Sequence, residues 1–242
     1  MQPSASATAT EHPHANLIGS ALALTAGYVD TLGFVALFGL FTSHVTGNFV
    51  LIGSELANPS HGVMIKLLAF LAFIAGVVMA RFLVLHLERS RRNAAPVLLV
   101  AQALLLVGFM TAGWLALPIN DSQSVLALTA GMSGAAAMGI QNGASRLVWS
   151  SLSPTTMMTG NVTQLVIDLV DLVRTGSSPE LRKRLRKFLF PVIAFAVGAT
   201  LGAFAFRYFS FLGLALPIAI VVGLLPISSP GPERIASTSP RP

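Results

Sequence analysis

The sequence predicts an all-α integral membrane protein, and three observations support that prediction. Hydrophobic residues make up 54% of the 242 residues and charged residues only 10%, against roughly 25% charged residues in a soluble domain. Several stretches reach the ~20 apolar residues that a helix needs to cross a bilayer. A Thr-Gly-Asn tripeptide occurs at 46–48 and again at 159–161, each time inside an apolar stretch. We therefore expect spanning helices interrupted by two polar breaks.

Six apolar runs are long enough to be transmembrane helices. In chain order they are about 17–40, 63–87, 94–117, 125–141, 188–208 and 210–227. The flanking segments, 1–16 and 228–242, are polar and are predicted to be disordered tails around a single transmembrane domain at 17–227. The N-terminal segment has no Lys or Arg, so it lacks the basic region of a secretory signal and the first run is expected to be an uncleaved anchor.

Eight of the fifteen basic residues lie in two clusters, Arg89–Arg92 and Arg182–Lys187. Lys and Arg are enriched in the cytoplasmic loops of membrane proteins. Both clusters flank apolar runs, so they predict cytoplasmic loops rather than a nucleic-acid partner. Tracing the six runs from these loops places both termini in the cytoplasm.

The second tripeptide lies in a segment that the charge bias predicts to be re-entrant. Arg146 and Arg174 flank it, and both require the cytoplasmic side. By the same logic, the segment 41–57 enters from the outside. Each half then has three spans and one short discontinuous helix. Because each half crosses the membrane an odd number of times, the second half begins on the opposite side and is inverted relative to the first. An alternative stays open, in which Met157 to Val173 is a full span and the halves are parallel.

Further landmarks support an internal repeat of about 17–117 and 125–227. Gly27-Tyr28-Val29-Asp30 lies nineteen residues before Thr46, and Gly139-Ile140-Gln141-Asn142 lies twenty residues before Thr159. Glu55 and Asp168 hold the same position after the tripeptides, and Ala75-Gly76 matches Val197-Gly198. These landmarks occur in the same order in both halves. The second half differs by a one-residue gap before the tripeptide and by a longer basic loop after it, so the pattern indicates that one half is a duplicate of the other.

On these residues the chain resembles the YoaK family, small bacterial membrane proteins whose common domain has no assigned function. The residues that carry the resemblance are Gly27, Asp30, Thr46, Gly47, Asn48, Gly139, Gln141, Asn142, Thr159, Gly160 and Asn161. The resemblance covers about 17–227. It implies a multi-pass protein of the bacterial inner membrane and says almost nothing about chemistry.

The tripeptides are hypothesised to line a substrate site near the bilayer midplane. Thr46 and Thr159 are good N-cap residues, and the glycines allow close backbone approach. Helix N-termini that converge from opposite sides would attract an anion or the carbonyl groups of a polar solute. The alternative is structural, because the tripeptides would equally serve to cap two helices where they cross. The residues of the hypothetical site are Asp30, Thr46, Gly47, Asn48, Gln141, Asn142, Thr159, Gly160 and Asn161.

Four ionisable residues are candidates for proton or ion coupling: Asp30, His44, Glu55 and Asp168. Asp30 is mid-span, where a carboxylate usually faces a cavity or a partner, and no Lys or Arg occurs among the first 65 residues. Its repeat counterpart is the neutral Asn142. His44 titrates near neutral pH. For Asp168 the simpler expectation is pairing with Arg174 or Arg182.

These patterns favour a small secondary transporter, or permease, for a small polar or anionic solute. The alternative is a non-transporting scaffold, assembly factor or partner subunit. The sequence has no nucleotide-binding motif and no catalytic constellation, so neither an enzyme nor a cofactor is predicted. No cysteine is present and no metal site is expected. The expected partners are the lipid bilayer and the solute, and with only six spans a homodimer is left open.

Overall fold

The structure is a computed structural model that describes residues 14–58 and 62–228, and every regular element in those ranges is helical. The long helices are α1 (Ala15–Ala36), α3 (Val63–Arg89), α4 (Ala94–Leu115), α5 (Val125–Leu147) and α7 (Pro179–Phe209). The shorter ones are α2 (Gly47–Ala57), α6 (Thr159–Thr175), α8 (Ala215–Gly223) and α9 (Leu225–Ser228), with a 3-10 turn at Ser210–Leu214 before α8. The predicted all-helical class is confirmed, while the two predicted tails lie outside the described residues or at their edge.

Four stretches of the described chain are long and apolar enough to cross a membrane: α1, α3, α4 and the stretch Pro179–Ser228. The run predicted at 125–141 does form a helix, α5, which is rich in Gly, Ala, Ser and Thr rather than in large apolar residues. The number of six spans therefore stays a prediction. Burial identifies α1 as the innermost of these stretches, because 67% of its apolar window is buried against 33% for α3 and 44% for α4.

The stretch Pro179–Ser228 consists of two legs. α7 ends at Phe209, and Ser210 turns the chain with a φ of 51°. Phe211 then packs on Gly113 near the end of α4, whereas Asn93 Nδ2, just before the start of α4, donates to the carbonyl oxygen of Ser228 at 3.3 Å. The second leg, 211–228, consequently runs antiparallel to α4 along its length.

α1 packs closely and in parallel against α7, and glycines make the approach possible. Gly198 faces the carbonyl oxygen of Leu24, and Gly27 faces the carbonyl oxygen of Phe195. A Cβ at either glycine would overlap the opposing backbone. The backbones of the two helices are therefore in direct contact.

α3 and α5 make the corresponding contact. Gly76 faces the carbonyl oxygen of Ala136, and Gly139 faces that of Phe73, again without room for a Cβ. α4 lies antiparallel to α5, with Gly108 beside Ser133 and Gln102 bonded to Gln141. The helices thus form two tightly packed groups, α1 with α7 and α5 with α3 and α4.

Candidate functional site

The first polar break is organised by Asp30, which is buried on α1. Its Oδ1 accepts hydrogen bonds from the backbone N–H groups of Thr42 and Ser43, both at 2.7 Å. Its Oδ2 lies 2.7 Å from His44 Nδ1. Asp30 precedes the end of α1 by six residues, so the chain beyond α1 folds back by about 9 Å to reach it. The carboxylate therefore fixes a loop that returns into the fold.

Asn48 fixes the same loop from its other end. Its Oδ1 accepts from the backbone N–H of Phe41 at 2.9 Å, and its Nδ2 donates to the carbonyl oxygen of Phe41 at 2.8 Å. Asn48 is fully buried, and both polar ends of its amide are satisfied by the backbone N–H and C=O of a single residue, Phe41. The asparagine of the tripeptide therefore links the loop to the start of α2 by hydrogen bonds.

The prediction that Thr46 and Thr159 cap the short helices through their hydroxyls is wrong. Thr46 is the N-cap residue of α2, but its side chain accepts no capping bond. Thr159 is already the first residue of α6, after the N-cap Met158. At α2 the N–H groups of Gly47, Asn48 and Phe49 donate to carbonyl oxygens three residues earlier, at 2.8–3.3 Å. These donors are occupied, so α2 does not present the free N–H groups that the site hypothesis assumed.

The second polar break has a similar arrangement around Asn142 and Asn161. Asn142 Nδ2 donates to Thr156 Oγ1 at 2.7 Å. Asn161 Nδ2 donates to the carbonyl oxygen of Pro154 at 2.7 Å, so it reaches back seven residues, as Asn48 does. The loop 148–158 therefore folds back along α5, and α6 begins beside it.

Gln141 joins this second break to the centre of the fold. Its Nε2 donates to Thr155 Oγ1 at 3.1 Å and to the carbonyl oxygen of Leu22 on α1 at 2.9 Å. Its Oε1 accepts from Gln102 Nε2 at 2.7 Å. Sequence reasoning missed Gln102, although a lone amide within the apolar α4 was a usable signal. Both glutamine side chains are buried, so their bonds are satisfied only within this network.

A cavity of about 330 Å³ opens beside the second break. It is lined by Asn142, Ser145, Arg146, Ser150, Leu152, Pro154, Thr155, Thr156 and Met157. Most of these side chains are polar, and Arg146 adds a positive charge. The cavity therefore offers hydrogen-bonding groups and one positive charge within a lining whose surface is mostly apolar.

The structure places the hypothesised site residues in two clusters rather than one. Asp30, Thr46, Gly47 and Asn48 surround the first break, whereas Gln141, Asn142, Thr159, Gly160 and Asn161 surround the second. Gln141 meets α1 at Leu22, eight residues before Asp30, which is a separation of about 12 Å along the helix. Among the hydrogen bonds of the described residues, none joins the two clusters.

Glu55, the candidate coupling residue near the end of α2, is paired with a lysine that sequence reasoning missed. Lys66 Nζ lies 2.6 Å from Glu55 Oε1 and donates to the carbonyl oxygen of Phe38 at 2.7 Å. The Lys66 side chain is fully buried and that of Glu55 is 17% exposed. The ion pair ties α2 and the end of α1 to the start of α3.

Asp168 pairs with Arg184, and the expectation of Arg174 or Arg182 is wrong. The fully buried Asp168 carboxylate accepts from Arg184 at both oxygens and from Gln164 Nε2 at 2.8 Å. Arg182 instead bonds Ser177 in the loop before α7. The reason is geometric, because α7 returns beside α6 and its second turn, not its first, lies opposite Asp168.

Within residues 14–58 and 62–228, no group of three His, Asp or Glu side chains is placed to hold a metal ion. The polar groups at both breaks are hydrogen-bond donors and acceptors.

The fold and its polar breaks define a helical, multi-pass membrane protein. The chain belongs to the family described as "Protein of unknown function (DUF1275)", whose model matches residues 18–227. It is similar to the UPF0700 transmembrane protein YoaK of Bacillus subtilis (strain 168), with 28% identity over 222 residues, which cover 89% of this chain and 95% of that one. No solved structure matches the chain. The predicted resemblance to the YoaK family is confirmed.

Proposed function

We propose that the protein is a small secondary transporter of the inner membrane that moves a small polar or anionic solute by alternating access. One observation supports this proposal above the others: a cavity of about 330 Å³ reaches the second polar break. A break in a membrane helix frees backbone groups that lipid cannot satisfy, and such breaks persist where they are buried or line a wet cavity.

The cavity supplies the groups that recognition of such a solute needs. Asn142 uses its Nδ2 on Thr156, which leaves its Oδ1 and the Thr156 hydroxyl proton for a ligand. Arg146 lies on the same wall, and its guanidinium is suited to pair with a carboxylate or a phosphate. A neutral polar solute would use the hydroxyl and amide groups alone.

Equivalent contacts in the two halves support an inverted repeat. Asn48 and Asn161 each bond a backbone carbonyl seven residues earlier. Glu55 and Asp168 each pair with a cation on the following long helix. α1, α4 and α7 point one way, whereas α3, α5 and the leg 211–228 point the other way. The halves therefore run up-down-up and down-up-down, as in many transporters with inverted repeats.

The same packing suggests which parts move. α1 and α7 are locked by backbone contact, and so are α3 and α5. α1 and α5 meet over a much smaller area, where Gln141 bonds the carbonyl oxygen of Leu22. Rocking of one group against the other about this contact would open the two breaks in turn. This motion requires the leg 211–228, which continues from α7 and packs along α4, to slide against α4.

Asp30 and His44 are the coupling site in this proposal. The two side chains are in hydrogen-bond contact at 2.7 Å, and the His44 side chain is 32% exposed. A histidine of this kind changes charge near neutral pH. Its protonation would strengthen the hold of Asp30 on the returning loop, and its deprotonation would weaken that hold.

The alternative function is a membrane scaffold, assembly factor or partner subunit. It is favoured by the saturation of Asp30, whose carboxylate is engaged by Thr42, Ser43 and His44. On that view Asp30 only holds the loop. Asp30→Asn separates the two proposals, because a transporter variant would keep its abundance and lose flux, whereas a scaffold variant would lose folding or assembly.

The transport proposal is tested through Met157, which lines the cavity and is exposed. Since the chain has no cysteine, Met157→Cys gives a single thiol. Its labelling rate by a membrane-impermeant reagent is measured in vesicles with acetate, phosphate, amino acids or sugars added in turn. A transporter predicts that one chemical class slows labelling saturably and that the same class is taken up by proteoliposomes.

Val173→Cys is the matched control, because Val173 is exposed near the end of α6 and does not line the cavity. Protection there, equal to that at Met157→Cys, would mean that the solute acts on the reagent or the membrane. Absence of protection by every class, together with an Asp30→Asn variant that loses folding or assembly, would favour the scaffold.

A further inference from the structure

The first turns of α7 and the start of α1 enclose a basic cavity that shares no lining residue with the cavity at the second break. Its volume is about 530 Å³. It is lined by Asn16, Ser177, Pro179, Arg182, Lys183 and Arg186. Three of these residues are cations and none is acidic, so the cavity favours an anion.

The backbone adds to this preference. α7 begins at Pro179, and the hydroxyl of Ser178 caps it by accepting from the N–H of Leu181 at 3.1 Å. The N-terminus of this helix, which has 31 residues, carries the positive end of its dipole. Arg182 is held against the loop by its bond to Ser177. One of the three cations, Arg182, is thus held beside the cavity by a hydrogen bond.

An apolar stripe continues from this cavity along α7. Arg182, Arg186, Phe190, Ile193 and Val197 follow at spacings of three and four, so they share one face of the helix. All five are exposed. The cations at one end and the apolar side chains beyond them match a molecule with an anionic head and a hydrocarbon tail.

The length of α7 places the cavity at the depth of a headgroup. Thirty-one residues span about 46 Å, whereas the hydrocarbon core of a bilayer is about 30 Å thick. Roughly ten residues must lie beyond the core, and the basic first turns are the ones that would lie in the polar region.

We propose that this cavity binds the phosphate-bearing headgroup of an anionic phospholipid, with an acyl chain lying along the Phe190–Ile193–Val197 stripe. Basic pockets between helices at the cytoplasmic side are suited to such headgroups. The stripe selects a lipid over free phosphate, because inorganic phosphate would use only the basic end. The inference is independent of whether the protein transports a solute.

The test uses the full chain in detergent, titrated with dioleoyl phosphatidylglycerol or phosphatidylcholine, with bound lipids counted by native mass spectrometry. The intact protein is expected to bind phosphatidylglycerol at least tenfold more tightly. Arg182→Ala with Arg186→Ala should weaken the binding of phosphatidylglycerol roughly 25-fold, since each cation near the surface contributes about fivefold. Ile193→Ala with Val197→Ala should weaken it at least threefold.

Arg89→Ala with Arg92→Ala is the matched control, because it removes the same charge from the basic cluster between α3 and α4 and should change the affinity less than threefold. Equal losses in the two arginine variants would show non-specific attraction and overturn the proposal. Competition by millimolar inorganic phosphate, with no effect of the Ile193 and Val197 changes, would assign the cavity to a free anion. Equal affinity for the two lipids would also overturn it.

Discussion

Lys66→Met is the substitution that most sharply tests the role of the buried ion pairs. The Lys66 side chain is fully buried, and its ammonium contacts both Glu55 and the carbonyl oxygen of Phe38. Removing one partner of a buried pair leaves an uncompensated charge and costs about 3–5 kcal/mol. One oxygen of Glu55, Oε2, is already buried without a hydrogen bond in the described structure, so the carboxylate has little alternative support.

The assay is the free energy of unfolding in mixed micelles, followed by far-UV circular dichroism during a titration with sodium dodecyl sulfate. Lys187→Met is the matched control, because Lys187 is only half-buried and its ammonium lies 5.8 Å from the centre of the Phe188 ring. Such a contact contributes about 0.5–1 kcal/mol when it is exposed. Lys66→Met combined with Glu55→Leu should recover most of the loss, since an apolar pair of similar volume is often neutral or stabilising. Equal effects of Lys66→Met and Lys187→Met, or no recovery in the double variant, would refute the reasoning.

Two further predictions concern the close packing of α3 on α5 and the hydrogen bonds of the two tripeptide asparagines. Gly76→Ala should lower the free energy of unfolding by about 1–3 kcal/mol, because the added Cβ overlaps the carbonyl oxygen of Ala136. Gly53→Ala is the control and should be neutral or stabilising, because a Cβ at Gly53 meets open space. Equal effects of the two substitutions in the same micelle titration would contradict the close contact between α3 and α5. Asn48→Ala removes two bonds to Phe41 and should cost about 1–3 kcal/mol. Asn161→Ala removes one such backbone bond and should lower the free energy of unfolding by less. A larger loss for Asn161→Ala than for Asn48→Ala would contradict the role given to these hydrogen bonds.

The sequence was sufficient to predict the position of the breaks and most of the helices. The basic cluster Arg182–Lys187, predicted to be a loop, instead forms the first turns of α7 (Pro179–Phe209). The apolar run at 63–87 became α3 (Val63–Arg89), and the run at 94–117 became α4 (Ala94–Leu115). Both tripeptides lie at the start of a short helix, as expected. These features depend on local composition, which fixes where a chain can be helical and apolar.

The partners of the polar groups could not be predicted in the same way. Lys66 lies in an otherwise apolar run, and nothing in its neighbourhood indicates that it reaches Glu55 and Phe38. Gln102 pairs with a residue 39 positions away. Such contacts depend on how distant helices pack, and the assignment of Asp168 to the wrong arginine has the same cause.

The central claim is that the two polar breaks open to opposite sides of the membrane. Thr46→Cys and Thr159→Cys test it most directly, because these threonines are equivalent in the repeat and both are exposed. Each single thiol is labelled with a membrane-impermeant reagent in right-side-out and in inside-out vesicles. The account predicts that Thr46→Cys reacts only from outside and Thr159→Cys only from the cytoplasmic side. Labelling of both from the same side would contradict it.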